Sequence, residues 1–301
     1  TMSLDIVIVN WNSGLFLDNC LNSLNKYGLN QINKVVIIDN ASSDDSIEKI
    51  HTNYPSVDVL VLDRNYGFGP AYNLAFKHLE NSKSEFVLIL NNDTIVESDL
   101  LDELISGVSL HGSGHFFCPI IHYLDSPDKI WYAGGKVDLP VGQLAHAGLR
   151  QKNKGQYSDI AITGFATGCC ILTSLESLKK LDGFDEDFNM YGEDVDLCLR
   201  AQAMGIYSIF VPKAKIFHKV SASIGGEFSV SKMRRKLNSI KKLMSKHSST
   251  HEMFIGYSLY LIRILFSIIF NIFKPFLVRS CGAFCRLRTR IDIPNFFKRS
   301  R

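Results

Sequence analysis

Residues 86–97 read FVLILNNDTIVE, and this stretch carries two different instructions. Five successive apolar residues, Phe86-Val87-Leu88-Ile89-Leu90, show no polar–apolar alternation. That is the pattern of a strand covered on both faces, as in a parallel sheet. The chain then switches abruptly to Asn91-Asn92-Asp93-Thr94. Asn, Asp and Thr are turn formers, so the tetrapeptide alone reads either as the turn that ends a strand or as part of a site.

Upstream, strand-like and helix-like segments alternate. LDIVIV (4–9), KVVIID (34–39) and VDVLVLD (57–63) are strand-like, while LFLDNCLNSLNKY (15–27) repeats Leu17, Cys20, Leu21 and Leu24 at helical spacing. A second helix is expected from about Ser43, where Asp44-Asp45 suit a helix N-terminus, and a third in PAYNLAFKHL (70–79). This alternation implies parallel strands joined by crossover helices, hence an α/β fold with an open, doubly wound, mainly parallel, Rossmann-like sheet.

Ligands of such sheets bind beyond the carboxyl ends of the strands. Asn10-Trp11-Asn12, Asp39-Asn40-Ala41-Ser42, Arg64-Asn65-Tyr66-Gly67 and Asn91-Asn92-Asp93-Thr94 all fall there. Four polar clusters at equivalent positions read as the rim of one site. A dinucleotide is disfavoured, because WNSGLF after the first strand has one glycine in place of the phosphate-binding set, and no Walker A lysine loop is present. A lone aspartate among amides suits a hard divalent cation, Mg2+ or Mn2+, that keeps waters and completes its shell from a diphosphate.

The second half contributes GFDEDFNMYGEDVDLCLRAQAMG (183–205), in which Glu193 and Asp194 precede a helical segment. Acids there can simply cap the helix. Yet Asp185, Glu186, Asp187, Glu193, Asp194 and Asp196 crowd one stretch, and like charges raise the pKa of a carboxyl toward the range useful to a general base. Trp131-Tyr132, ahead of Gly134-Gly135, can stack on an acceptor sugar, although aromatic pairs also build cores.

The order IVIVNWN, VVIIDNASSD, RNYGFGPAYN, LILNNDT, ATGCCIL, GFDEDFNMYGEDVDLCLR and then His218 resembles glycosyltransferase family 2, the inverting nucleotide-sugar transferases of GT-A fold. Within that family it resembles the bacterial rhamnosyltransferase-like branch. The likeness covers about residues 4–225. It implies that Asp39 contacts the donor's base with Asn12, Asn40 and Ser42 nearby, and that Arg64, Asn65 and Asn73 line the nucleotide and diphosphate. It implies further that Asn91-Asn92-Asp93 is the D-x-D element, with Asp93 and His218 as metal ligands. Asp194 would deprotonate the acceptor hydroxyl and Glu193 would help place the acceptor. The sequence departs from the family at Asn91, where many relatives carry an aspartate, so a metal would be held loosely until the diphosphate arrives.

Charge is partitioned along the chain. Residues 1–212 hold 14 Lys/Arg and 27 Asp/Glu, whereas residues 213–301 hold 19 and 3. Such asymmetry points the C-terminal part toward an anionic partner. KMRRKLNSIKKLMSKH (232–247) sets Met233, Leu237, Ile240 and Met244 on one stripe of a basic amphipathic helix. In MFIGYSLYLIRILFSIIFNIFKPFLV (253–278), Gly256, Tyr260, Arg263, Ser267, Asn271 and Lys274 form a narrow polar stripe. A spanning helix would place Arg263 near mid-membrane, at a cost of roughly 2.5–3.5 kcal/mol. A helix lying in the interface is therefore expected, with Phe254, Leu261, Leu265 and Phe273 in the headgroup boundary and RLRTRIDIPNFFKRSR adding cations for acidic lipid. The alternative is that these apolar faces pack on the catalytic domain or form a homodimer. The high apolar content disfavours nucleic acid as the partner.

Two domains are expected, a GT-A domain over 1–225 and a basic amphipathic helical tail over 226–301. Strand-like residues begin at Leu4, so no signal peptide is expected, and seven scattered cysteines suggest free thiols in a reducing compartment. The expected function is metal-dependent inverting transfer of a sugar from a nucleotide-diphosphate donor to a lipid-linked oligosaccharide. The sugar is expected to be rhamnose from dTDP-rhamnose, and the location the cytoplasmic face of a bacterial inner membrane. The alternatives are a catalytically silent sugar- or nucleotide-binding protein and a nucleotidyltransferase, the latter lacking its basic glycine-rich loop.

Overall fold

The apolar runs form a sheet with the predicted direction in its first half. The computed structural model describes residues 2–27, 32–188, 190–220 and 230–266. β1 (Leu4–Asn10), α1 (Gly14–Lys26), β2 (Ile32–Asp39), α2 (Ser46–Asn53), β3 (Asp58–Val61), α3 (Phe68–His78) and β4 (Phe86–Asn91) follow one another. The four strands pair in parallel, in the order β3-β2-β1-β4. Every residue from Phe86 to Leu90 is buried, as are Ile6, Val7, Ile8, Val36, Ile37 and Ile38, the burial that a run without alternation requires. β3 is shorter than VDVLVLD and only half-buried, because it is the edge of the sheet. α2 starts three residues after the expected Ser43. The Asp44 carboxylate accepts hydrogen bonds from the Ser46 N–H and hydroxyl, which holds the intervening residues in a turn.

A turn at Asn92-Asp93 leads into β5 (Thr94–Val96). Then come α4 (Leu100–His111), β6 (Phe116–Tyr123), β7 (Ser126–Tyr132), the hairpin β8 (Gly135–Asp138) and β9 (Gln143–His146), β10 (Ala161–Thr163) and β11 (Cys170–Ser174). α5 (Leu175–Lys180), α6 (Glu193–Ala203) and β12 (Ser208–His218) complete the sheet region, whose order is β10-β12-β6-β11-β4-β1-β2-β3. β11 inserts antiparallel between β4 and β6, and β12 runs parallel to β6. The second half is thus mixed. The five cysteines among the described residues are all buried and free; Cys281 and Cys285 lie outside those residues.

Two helices end the described chain, α7 (Val230–His247) and a helix over 250–266, here α8. α7 is the basic amphipathic helix that the sequence predicts, but its apolar stripe does not face outward. Ile240, Leu243 and Met244 join the main core. Its cations land on the acidic stretch: Lys242 Nζ lies 3.2 Å from Asp187, Lys246 Nζ 2.6 Å from Asp185 and 2.8 Å from Asp196, and His247 Nε2 2.7 Å from Asp196. The Ser239 hydroxyl donates to the Met190 carbonyl at 2.9 Å. The expectation of α7 on a lipid surface is therefore corrected. Lys242, Lys246 and His247 meet acids of their own chain, and Ile240, Leu243 and Met244 pack into the core. No helix among the described residues is long and apolar enough to cross a membrane. Residues 267–301, with Phe273 and the last basic segment, lie outside the described residues.

Candidate active site

The carboxyl ends of β1, β2 and β4 bring the predicted rim together. Asn10 is fully buried, and its amide nitrogen donates to Asp39 Oδ1 and Ser42 Oγ at 3.2 Å and to Ser46 Oγ at 3.0 Å. Its oxygen accepts from Asn92 at 3.0 Å. The Asp39 carboxylate accepts from the Ser42 N–H at 2.9 Å and from the Ser42 hydroxyl at 2.5 Å. Asn12, with φ of 48°, accepts the Ser43 N–H at 2.7 Å; Asn tolerates this left-handed conformation better than most residues. Asn40 joins the next loop, donating to the Gly67 carbonyl at 2.9 Å and accepting the Tyr66 N–H at 2.8 Å. The network holds one rigid polar floor from three separate sequence clusters.

Other expected donor residues sit differently. Arg64 and Asn65 are exposed on the loop after β3, with the Arg64 guanidinium 4.7 Å from the Tyr66 ring centroid and Asn65 accepting the Gly67 N–H. Asn73 departs from its expected place along the diphosphate. Both ends of its amide are taken up by the Phe184 backbone, each at 2.8 Å, so it clamps the 183–186 loop to α3.

The NNDT stretch forms a turn that brings Asp93 to His218. The Thr94 hydroxyl donates to the Asn91 carbonyl at 2.7 Å, closing the turn and leaving Asp93 at its tip. β5 then pairs antiparallel with the end of β12, setting His218 opposite Thr94, and the Lys219 N–H donates to the Asp93 carbonyl at 2.9 Å. This pairing carries His218 Nε2 to 3.1 Å from Asp93 Oδ1, with both side chains buried. Asp93 Oδ1 and His218 Nδ1 have no hydrogen-bond partner. No group of three or more His, Cys, Asp or Glu that could hold a metal occurs among the described residues. The two convergent groups nonetheless fit a divalent cation whose remaining ligands are water and diphosphate oxygens.

Glu193 and Asp194 begin α6, just after Gly192 turns the chain in a left-handed conformation at φ +87°. Asp194 is fixed by the backbone: Oδ2 accepts the Gly168 N–H and Oδ1 the Val195 N–H, both at 2.9 Å. Glu193 is buried and its Oε2 has no partner. Burial, reinforced by the Asp194 charge, pushes the Glu193 carboxyl up to about 8. Burial also raises Asp194, offset only in part by its backbone donors. The other acids of the crowded stretch go the opposite way. Burial pushes Asp185 and Asp196 up, but Lys246 and the Asp187 N–H together outweigh it at Asp185, while His247, Lys246 and Arg200 together outweigh it at Asp196. α7 thereby divides the acids into a paired group and an uncovered pair.

Sequence reasoning missed what ties the two halves together. The Cys169 carbonyl accepts the Asn91 N–H at 2.9 Å, while the neighbouring Gly168 N–H holds Asp194. One loop therefore registers the end of β4 against the start of α6. The Thr-Gly pair in ATGCCIL was its signal. The aromatic pair also resolves. The Trp131 ring reaches the Asp93–His218 pair, its centroid 4.5 Å from those of both His218 and His146, while the Tyr132 ring packs 5.1 Å from His146. Tyr132 is fully buried, donates to the Phe165 carbonyl at 2.6 Å and is a core residue, correcting its expected place beside the acceptor. His146, also missed, has its pKa lowered to about 4 by burial and stands as a neutral wall behind Trp131.

Residues 5–182 match the family model of Glycosyl transferase family 2. The chain belongs to that family. Among curated proteins, this family 2 member is 25% identical over 242 residues to the N-acetylglucosaminyl-diphospho-decaprenol L-rhamnosyltransferase of Mycobacterium tuberculosis, covering 74% of this chain and 78% of that protein. It is 24% identical to rhamnosyltransferase WbbL of Escherichia coli K12, over 62% of this chain and 72% of that protein. The crystal structure of GalNAc-T7 with UDP, GalNAc and Mn2+ superposes with a TM-score of 0.63 at 17% identity. That match covers 81% of this chain but 48% of the other, so the chain spans about half of that protein. The likeness establishes the fold, which is GT-A.

Proposed function

We propose that this glycosyltransferase moves rhamnose from dTDP-rhamnose to a lipid-linked oligosaccharide with inversion, at the cytoplasmic face of a bacterial inner membrane, during surface polysaccharide synthesis. The observation that carries the catalytic part is the 167–169 loop, which fixes Asp194 and the Asp93 turn relative to each other. The names of the two rhamnosyltransferase relatives support the donor and acceptor classes.

In this reading the floor made by Asp39, Asn40, Ser42 and Asn12 receives the nucleoside, with Arg64 and Asn65 at its open edge. Asn91, Asn92 and Asp93 face the diphosphate. Asp93 and His218 would hold Mg2+ or Mn2+, which when bound would offset charge developing on the leaving diphosphate. The acceptor hydroxyl oxygen attacks the anomeric carbon while the carbon–oxygen bond to the diphosphate breaks. The hydroxyl proton passes to Asp194, and the electron pair leaves with the nucleoside diphosphate. Fixed by two backbone donors, Asp194 keeps one orientation for that transfer. Glu193 retains its proton near neutral pH, so its free oxygen side is suited to hydrogen-bond the acceptor. Trp131 offers an aromatic face to a sugar ring.

The test is incubation with dTDP-rhamnose, a lipid-diphosphate-linked saccharide and Mg2+ or Mn2+, reading dTDP release and glycosylated product. Asp194→Asn should lower kcat by about 10²–10⁴-fold, the usual contribution of a general base, with donor affinity nearly unchanged. Full activity in that variant, or no turnover of any nucleotide sugar in a panel, overturns the reading.

A further inference from the structure

α8 has its polar stripe turned inward. Gly256 packs on the Leu139 carbonyl, and Gly142 on the Gly256 carbonyl and Tyr260 nitrogen, so a Cβ at either glycine would run into backbone of the other segment. Arg263 Nη1 donates to the Gly142 carbonyl at 3.0 Å. Met253, Tyr257 and Tyr260 pack against the core on the same side. Residues 253, 256, 257, 260 and 263 follow one helical face, and that face is clamped to the turn of the β8–β9 hairpin.

The opposite face has no partner among the described residues. Phe254 is 73% exposed, Leu265 57% and Phe266 68%, with Ile255, Leu261 and Ile262 also exposed. These positions share one side of the helix, and a continuous apolar patch on an otherwise folded surface marks a docking site. Charge selects the occupant. The chain beyond residue 266 carries eight Lys/Arg and one Asp, and Arg234, Arg235 and Lys241 are exposed on α7. A protein partner of ordinary composition gains nothing from so basic a sequence following an apolar face, whereas a bilayer with acidic headgroups gains from both.

We infer that the outer face of α8 is a membrane-docking surface that lies in the headgroup boundary of an anionic bilayer. The hairpin clamped beneath α8 ends in His146, whose ring lies against Trp131. Docking therefore fixes the acceptor side of the site at a set height above the lipid. The inference deepens the lipid-linked-acceptor reading but stands on residues outside the catalytic groups, and its test requires no turnover.

The test is sedimentation of the full chain with phosphatidylcholine vesicles, with and without phosphatidylglycerol, alongside light scattering and a melting curve. The full chain should pellet with the acidic vesicles, and high salt should release only part of it, because apolar burial is not screened. The double variant Phe254→Glu/Leu265→Glu should bind acidic vesicles about tenfold more weakly or worse, with unchanged mass and melting temperature. Absence of wild-type pelleting, or full binding by the double variant, overturns the inference. A wild-type dimer that the variant splits would assign the face to a second copy instead. A lowered melting temperature would assign it to residues 267–301. Each of these also overturns the inference, whereas a catalytically dead chain that still docks leaves it intact and sinks only the proposed reaction.

Discussion

α7 and α8 come from the same basic, apolar-striped C-terminal region, yet they attach to the enzyme by opposite faces. α7 buries Ile240, Leu243 and Met244 and lays its lysines on Asp185, Asp187 and Asp196. α8 buries Gly256, Tyr260 and Arg263 contacts and leaves Phe254, Leu265 and Phe266 in the open. Amphipathic periodicity establishes that a helix has two faces; it does not say which face meets the protein. That choice lies in the receiving surface. Beneath α7 is a patch of carboxylates beside an apolar core, and beneath α8 is a glycine turn whose Gly142 carbonyl accepts from Arg263.

The largest effect should come from the carboxylate at the centre of the α7 contact. Asp196 is fully buried and bonded to Arg200, Lys246 and His247. Asp196→Ala leaves those groups without their shared acceptor and should cost about 3–5 kcal/mol, read by denaturant unfolding. Because the folded-state pKa of Asp196 is depressed, its contribution is present above the usual carboxylate range and is lost as pH falls through the folded value. Wild type and variant should therefore converge in acid. Equal stability at neutral pH would break the account of how α7 is held.

A matched pair of truncations sharpens the comparison directly. Leu243→Ala in α7 removes a fully buried side chain and should cost about 2–5 kcal/mol. Leu265→Ala in α8 should change stability by no more than about 0.5 kcal/mol in the absence of lipid. Similar losses at both sites would mean that the two helices attach in the same way.

The smallest effect concerns the acids that α7 leaves uncovered. Glu193, raised to about 8, should lose its proton at mildly alkaline pH and weaken its hold on the acceptor, so kcat/KM for the acceptor should fall above that pH. Glu193→Gln cannot ionise, and its alkaline limb should be flat, with less than about a tenfold change near pH 7. The acid limb, set by Asp194, should lie above the usual carboxylate range in both proteins. A profile of acceptor kcat/KM against pH for each decides it; an alkaline limb that persists in the variant removes Glu193 from acceptor binding.

Local pattern made much of the fold legible. The unbroken apolar runs of β1, β2 and β4 name buried parallel strands by themselves, and the polar clusters after them mark the rim. What stayed hidden depends on partners far along the chain. CCILT reads the same whether β11 runs parallel or antiparallel, since a covered strand has no alternation to orient it. The family resemblance placed Asn73 along the diphosphate, and nothing near it shows that the Phe184 backbone, 111 residues later, engages both ends of its amide. Within Trp131-Tyr132, nothing local shows that both rings would pack on His146 and that Trp131 would also meet His218. The acidic stretch pointed to one carboxyl raised by like-charge crowding, whereas Glu193 and Asp194 are both raised, chiefly by burial. It could not announce that α7 would arrive to lower Asp185 and Asp196.

The pairing of β5 with β12 also has a consequence for the order in which the enzyme comes into being. Asp93 is set at its turn by neighbours two or three residues away, but His218 reaches it only when the last strand of the sheet takes its place beside β6. A ribosome that has delivered every donor-side residue has still made no Asp93–His218 pair, because the chain must extend 125 residues further. Contacts of such sequence separation form late and slowly. The growing chain can thus close the Asn10–Asp39–Asn92 floor well before it gains the Asp93–His218 pair, which waits until its sheet is complete.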